Sequence, residues 1–217
     1  MSEAAERDFA AIDAADITDR AIAWTVISAA FATTLNPQTL SALRDPHQLA
    51  EWPLKGPHFE AACHELGMSA ALAATDETES ELRLAHQRMM SGPGPVDPSP
   101  WESVHRSREG LVFDEETSQV RAAYREFGLQ SKLLMKVPED HVAIEAEFLA
   151  YLLSEALDRI DRGESAQRFL AAYDAFLAEH AGQWLPRYFT RFSGTATTHY
   201  HRGIAGLGAQ TIAAAAL

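Results

Sequence analysis

The chain has 217 residues, 47% of them apolar, with 31 acidic and 18 basic side chains and a net charge of −13. This length and apolar content suffice for one good-sized core or two small lobes, and the single cysteine, Cys63, excludes a disulfide framework within the chain. The acidic balance disfavours nucleic acid as a partner and suits cationic ones.

The first residues are acidic and lack the basic segment and apolar run of an export signal. No apolar stretch approaches the length that is needed to span a bilayer. We therefore expect a soluble, cytoplasmic protein that does not insert into membranes.

The N-terminal part of the chain has helical periodicity throughout. Apolar residues recur at spacings of three and four, and Pro and Gly mark the breaks. The predicted helices are 17–35, 37–43, 46–51, 58–74 and 76–90. No apolar–polar alternation follows a strand pattern, so we expect no sheet.

One segment, residues 91–100, interrupts this pattern and holds four of the ten prolines. Such a composition cannot be helical and predicts a surface loop. The loop divides a single domain into an N-terminal half, about 1–90, and a C-terminal half, about 101–217. A loop of this kind can also be the hinge of a domain-swapped dimer, so both a monomer and a swapped dimer are open.

The C-terminal half continues the helical pattern. We predict helices at 115–127, ended by Gly128, at 138–160, at 164–181, ended by Gly182, from Trp184 onwards, and at 195–217. The whole chain is thus predicted to be all-α, with about eight to ten helices in two closely associated halves joined by the loop.

The helix that begins at Pro138 carries two ionisable residues, His141 and Glu145, on its apolar face. One interpretation is that Asp140 caps the helix and that His141 and Glu145 form a satisfied buried pair. The other is that Asp140 and His141 project from the start of the helix into a binding surface. The residues alone leave both open.

Motifs for catalysis are weak. His141 and Glu145 have the spacing of metal ligands, and His199 and His201 form a second imidazole pair, but no further donors are evident. Cys63 and His64 are adjacent and point about 100° apart on a helix. No glycine-rich phosphate loop follows a strand. The sequence therefore predicts no catalytic residue, no metal and no cofactor.

Four segments in the C-terminal half do form a recognisable series. They are Pro-Trp-Glu-Ser-Val at 100–104, Tyr-Arg-Glu-Phe-Gly-Leu at 124–129, Pro-Glu-Asp-His at 138–141 followed by Glu-Ala-Glu-Phe-Leu, and the stretch 180–189 with its Trp-Leu-Pro. In this order they resemble the TorD/DmsD/NarJ family. That resemblance implies an all-α cytoplasmic chaperone for a molybdenum-cofactor oxidoreductase. Such a chaperone binds the twin-arginine signal peptide of the enzyme and delays export until the cofactor is loaded.

The resemblance also implies a binding site. It places Asp140, His141 and Trp101 on the signal-peptide surface, with Pro100 and Pro138 shaping the approach. A leader with two guanidinium groups beside an apolar segment calls for carboxylates next to an aromatic groove. The candidate aromatic walls are Trp101, Tyr124, Phe127 and Phe148. The candidate acidic edge consists of Glu139 and Asp140. Each aromatic residue also has an interpretation as core, and Glu145 is expected to be structural.

Three functions of different classes remain at this point. The chaperone predicts leader binding that is weakened by salt and by charge reversal at Asp140. A metal-dependent hydrolase would use His141, Glu145 and His199 or His201 as ligands, and would contain stoichiometric metal. A helical adaptor would bind a folded partner without any dependence on an arginine pair.

Overall fold

The computed structural model of the chain describes residues 12–91, 96–107, 112, 114–129 and 138–217. The first eleven residues, on which the expectation about export rests, lie outside this part of the chain. So does the centre of the predicted loop, residues 92–95.

Five helices precede the loop, and local side chains set where each begins. They are α1 (Ala14–Ala30), α2 (Pro37–Arg44), α3 (Pro46–Ala50), α4 (Pro57–Ala71) and α5 (Glu79–Ser91). Side-chain oxygens of Asp13, Asn36 and Asp45 accept hydrogen bonds from the exposed N–H groups at the starts of α1, α2 and α3. Prolines occupy the first position of α2, α3 and α4, where no N–H is needed. The first helix ends at Ala30 rather than at residue 35.

In the described residues after the loop there are six α-helices. They are α6 (Glu102–Arg106), α7 (Glu115–Glu126), α8 (Val142–Asp161), α9 (Gln167–Phe176), α10 (Gly182–Thr195) and α11 (His199–Ala213). Gly128 has a φ of 71° directly after α7, as predicted for the residue that ends it. The part of the chain that the structure describes contains helices and connecting loops but no strand, so the predicted all-α class is confirmed.

Gly182 corrects one sequence prediction. It does not end a helix, because a π-helical turn, Leu177–Ala181, joins α9 to α10 in one continuous rod. The Gly182 N–H donates to the Leu177 carbonyl five residues earlier. A Cβ at this position would lie 2.5 Å from that carbonyl oxygen, so only glycine fits the wider turn.

The helices on either side of the loop interleave. Helix α1 packs along α8, and α11 packs between α4 and α10. The buried Trp24 indole on α1 donates to the Tyr173 hydroxyl on α9, which in turn donates to the Ala215 carbonyl. Close contact of α11 with α4 needs Gly203, where a Cβ would lie 2.5 Å from Leu66. These contacts join both halves into one core. In the described part of the chain, no helix has the length and apolar character required to cross a membrane.

Candidate functional site

The landmarks of the C-terminal half meet where α6 and α8 begin. Helix α8 begins at Val142, four residues after the predicted start, because residues 138–141 run alongside the residues before α6. The Glu102 N–H donates to the Asp140 carbonyl at 2.9 Å, and the Val142 N–H donates to the Pro100 carbonyl at 2.8 Å. These two bonds place Trp101 opposite His141.

Asp140 is fully buried and ties three helices together. Its Oδ2 accepts a hydrogen bond from the Ser103 N–H on α6, and its Oδ1 accepts one from the Thr117 hydroxyl on α7. It does not cap α8, so the capping interpretation was wrong. His141 is the cap instead, since its Nδ1 accepts from the Ala143 N–H at 3.2 Å. Asp140 therefore holds the corner between α6, α7 and α8.

The other predicted acidic residue, Glu139, is also internal. Both of its carboxylate oxygens accept from the Arg121 guanidinium, at 3.2 and 2.7 Å. The buried Tyr124 hydroxyl donates to the Glu139 carbonyl, and burial raises the pKa of that tyrosine well above its usual value. Pro100 and Pro138 are buried beside them. The predicted acidic edge is thus part of the interior.

Trp101 and His141 differ from these residues because their donors are not used. The two rings meet edge to face, with centroids 5.5 Å apart, and Trp101 is half-buried. Since His141 Nδ1 is an acceptor, the proton of the neutral ring is on Nε2. Burial lowers the pKa of His141 to about 4, which keeps the ring neutral at pH 7. Among the described residues neither Trp101 Nε1 nor His141 Nε2 has a hydrogen-bond partner.

Behind this pair lies a buried cluster of carboxyl groups. One interpretation predicted that Glu145 pairs with His141. Glu145 instead accepts a hydrogen bond from the Trp184 indole N–H at 3.0 Å. Burial, and then the charge of Glu102, raise the pKa of Glu145 well above its usual range. Glu102 in turn accepts from His180 Nδ1 at 3.0 Å and pairs with Arg106. Sequence reasoning missed Glu102, His180 and Trp184 as a unit, although all three lie within the landmark segments.

A groove of about 400 Å³ opens beside this cluster, between α7, α8 and α9. Its apolar side is lined by Phe127, Phe148 and Phe176, and the centroids of the last two rings are 4.9 Å apart. Glu126, Glu179 and His180 supply its polar side. Two of the predicted wall residues, Phe127 and Phe148, line this groove. Tyr124 packs against Phe148, and the centroids of the two rings are 4.6 Å apart.

The histidines that were considered as metal ligands have other partners. His199 Nδ1 is 2.8 Å from Glu65, and His201 Nε2 is 3.2 Å from His86. Within residues 12–91, 96–107, 114–129 and 138–217, no three His, Cys, Asp or Glu side chains are grouped as a metal site requires. The geometry therefore does not favour the metal-dependent hydrolase.

Comparison with known proteins identifies the family. Residues 56–190 match the family described as nitrate reductase delta subunit. "Tat proofreading chaperone DmsD" from Salmonella typhi is 29% identical over 177 residues, which cover 82% of this chain and 76% of that protein. "Chaperone protein TorD" from Vibrio cholerae (strain O395) is 30% identical over 92 residues, which cover 42% of this chain and 41% of that protein. The chain therefore belongs to the nitrate reductase delta subunit family, and the resemblance to the TorD/DmsD/NarJ chaperones is confirmed.

Proposed function

We propose that this protein is a cytoplasmic chaperone that binds the twin-arginine signal peptide of a molybdenum-cofactor oxidoreductase and assists cofactor insertion before export. Family membership and the names of the relatives support the class of function. The proposed activity is binding, with no catalytic step.

The observation that carries the proposal is the pair of unpartnered donors, Trp101 Nε1 and His141 Nε2. A buried N–H without an acceptor costs about 1–3 kcal/mol, so its retention calls for an explanation. An extended peptide presents backbone carbonyls that would accept these hydrogen bonds. Trp101 and His141 are thus the proposed contacts, and Asp140, Glu139, Pro100, Pro138 and Tyr124 hold them in place.

The neighbouring groove suits the rest of a leader peptide. Phe127, Phe148 and Phe176 offer apolar surface for a hydrophobic segment. The exposed carboxylates of Glu126 and Glu179 at the same groove, and the net charge of −13, are complementary to guanidinium groups. Charge and apolar surface therefore lie side by side, as they do in the leader.

Calorimetric titration tests the proposal directly. The ligand is the twin-arginine leader of a molybdoenzyme from the same genome, compared with the same peptide carrying Ala at both arginines. We expect micromolar or tighter binding of the first peptide, and at least tenfold weaker binding of the second, which is about 1.4 kcal/mol.

A matched pair of tryptophan variants locates the site. Trp101→Phe removes one unpartnered indole N–H at the proposed contact. Trp52→Phe removes another buried, unpartnered indole N–H, after α3. Only Trp101→Phe should weaken leader binding. Leader binding that does not depend on the two arginines would contradict the proposal and favour the adaptor. Equal effects of Trp101→Phe and Trp52→Phe would show that the binding site does not lie at Trp101.

A further inference from the structure

Arg106 occupies an unusual position at the end of α6. Its guanidinium pairs with the Glu102 carboxylate, which is fully buried, and its Nη1 also donates to the Glu179 carbonyl at 2.7 Å. The Arg106 side chain is itself 30% exposed. The partly exposed Arg106 guanidinium thus contacts a carboxylate that is itself fully buried.

One of the two acceptors of the guanidinium, the Glu179 carbonyl, belongs to a residue that lines the groove. Glu179 lies in the π-helical turn, Leu177–Ala181, and π-helical turns are frequent at functional sites. The next residue, His180, lines the groove and donates to Glu102. The site that holds Arg106 and the proposed leader groove thus share residues of one turn.

The Glu102 carboxylate pairs with one guanidinium, that of Arg106. Burial, and then the charge of Glu102, raise the pKa of the neighbouring Glu145, which favours its uncharged form. An exchange of Arg106 for another guanidinium would leave the charge of the buried pair unchanged, whereas loss of Arg106 without a replacement would leave Glu102 without its arginine partner.

We infer that Glu102 and the Glu179 carbonyl form an arginine-side-chain site, which Arg106 fills in the free protein and an arginine of the client leader fills in the complex. The identity of the occupant rests on the proposed function. In this arrangement Arg106 is an internal competitor that leaves when the leader enters. Because bonds of the same kind are exchanged, the displacement needs little net energy.

The site is tested first without any client, by chemical rescue of Arg106→Ala. Methylguanidinium chloride at millimolar concentration should raise the melting temperature of Arg106→Ala more than it raises that of the wild-type protein. Methylammonium chloride is the matched control salt. Arg191→Ala is the control variant, because Arg191 pairs with Asp97 at the surface and both side chains are more than 60% exposed. It should gain nothing from methylguanidinium.

The occupant is tested by leader titration of the same proteins. Removal of an internal competitor should tighten binding to Arg106→Ala, by about fivefold if Arg106 fills the site four-fifths of the time. The gain should vanish with the leader that lacks both arginines. In Glu102→Gln, which keeps the shape but loses the charge, leader binding should weaken and the further change Arg106→Ala should bring no gain.

The outcomes separate this inference from the proposed function. Absence of methylguanidinium-specific stabilisation, or unchanged or weaker leader binding by Arg106→Ala, would overturn the inference and make Arg106 a purely structural residue. If neither the wild-type protein nor Arg106→Ala binds any leader, the proposed function fails, and with it the leader as occupant. The methylguanidinium experiment would then still decide whether the site itself exists.

Discussion

Two buried aromatic pairs in this protein look alike and differ in one respect. His86 on α5 and His201 on α11 form a closed chain: the Thr198 hydroxyl donates to His201, His201 donates to His86, and His86 donates to the Ala32 carbonyl. All four ring nitrogens are used. In the pair of Trp101 and His141, by contrast, one of the two His141 ring nitrogens and the indole N–H have no partner among the described residues.

Burial therefore does not distinguish the two pairs, and we propose that the unused hydrogen-bonding groups mark the pair that binds the leader. Both His141 and His201 are about 1% exposed or less, and burial lowers the pKa of His201 to about 3 and that of His141 to about 4. A satisfied buried network stabilises one packing arrangement, whereas an unsatisfied one leaves room for a ligand.

The largest effect is expected from His201→Ala. The substitution leaves a cavity in the core and an unpartnered His86 nitrogen, so the free energy of unfolding should fall by about 3 kcal/mol. Denaturant unfolding measures this loss, and leader affinity per folded molecule should not change. The exposed His64→Ala is the control and should stay within about 0.5 kcal/mol of the wild-type protein. A loss of leader affinity in His201→Ala would undo the comparison.

A smaller effect separates the two buried carboxyl groups. Glu102→Gln loses the charge that Arg106 pairs with and should lower the free energy of unfolding by about 2 kcal/mol at pH 7. Glu145→Gln should change it by less than about 0.5 kcal/mol, because the raised pKa of Glu145 favours the uncharged carboxyl group, which an amide resembles. Equal losses in both variants would show that Glu145 is ionised in the fold.

The pH dependence of stability tests the buried neutral histidines. Their pKa values are lower in the folded than in the unfolded state, so the unfolded chain binds more protons below pH 6.5. Stability should therefore fall as the pH drops, by up to about 1.4 kcal/mol per pH unit for each histidine. For His141 this loss ends near pH 4, where the folded protein also takes up the proton.

The contribution of Glu145 to the pH dependence of stability has the opposite sign, so it must be removed from the measurement. Its raised pKa means that the folded state keeps a proton that the unfolded state loses above about pH 4.5, so its contribution decreases as the pH rises. Unfolding curves of Glu145→Gln between about pH 5.5 and 7 report on the histidines, because the lowered pKa of Glu65 adds a loss of the same sign only nearer the usual glutamate pKa. A flat profile in that variant would contradict their neutral, buried state.

The smallest effect is the most specific. Trp101→Phe keeps an aromatic ring against His141 and removes only the indole N–H. One lost hydrogen bond of about 1 kcal/mol should weaken leader binding about fivefold. Thermal stability should not fall, because no partner in the described structure loses a bond and the unpartnered N–H itself costs free energy in the unbound protein. A drop in stability without a change in affinity would make the indole a structural group.

The sequence was a good guide to features that depend on near neighbours. Apolar spacing placed the helices, Pro37 marked the start of α2, and Gly128 marked the end of α7. The landmark segments located the corner where α6 meets α8, and the family comparison agrees with them.

Features that depend on distant partners were not predictable in the same way. Capping by Asp140 was one of two open interpretations, and its actual partners could not be foreseen because Ser103 and Thr117 lie 37 and 23 residues away in the sequence. The partner of Glu102, His180, is 78 residues distant. The π-helical turn was mistaken for a helix end, because a glycine in the sequence is compatible with either structure. One interpretation also predicted that Asp140 is exposed, because it stands near the start of a helix. Asp140 is buried instead, so charge reversal at this residue is a test of folding.

The measurement that tests the central claim most directly is the indole region of the ¹H–¹⁵N NMR spectrum during leader titration. The chain has four tryptophans, and the indoles of Trp24 and Trp184 already donate to Tyr173 and Glu145. The Trp101→Phe spectrum assigns the Trp101 signal. We predict that this signal shifts downfield on leader binding, because its N–H gains an acceptor, while the Trp24 and Trp184 signals stay in place. A Trp101 signal that does not move at saturating leader would contradict the assignment of Trp101 and His141 as the peptide contacts.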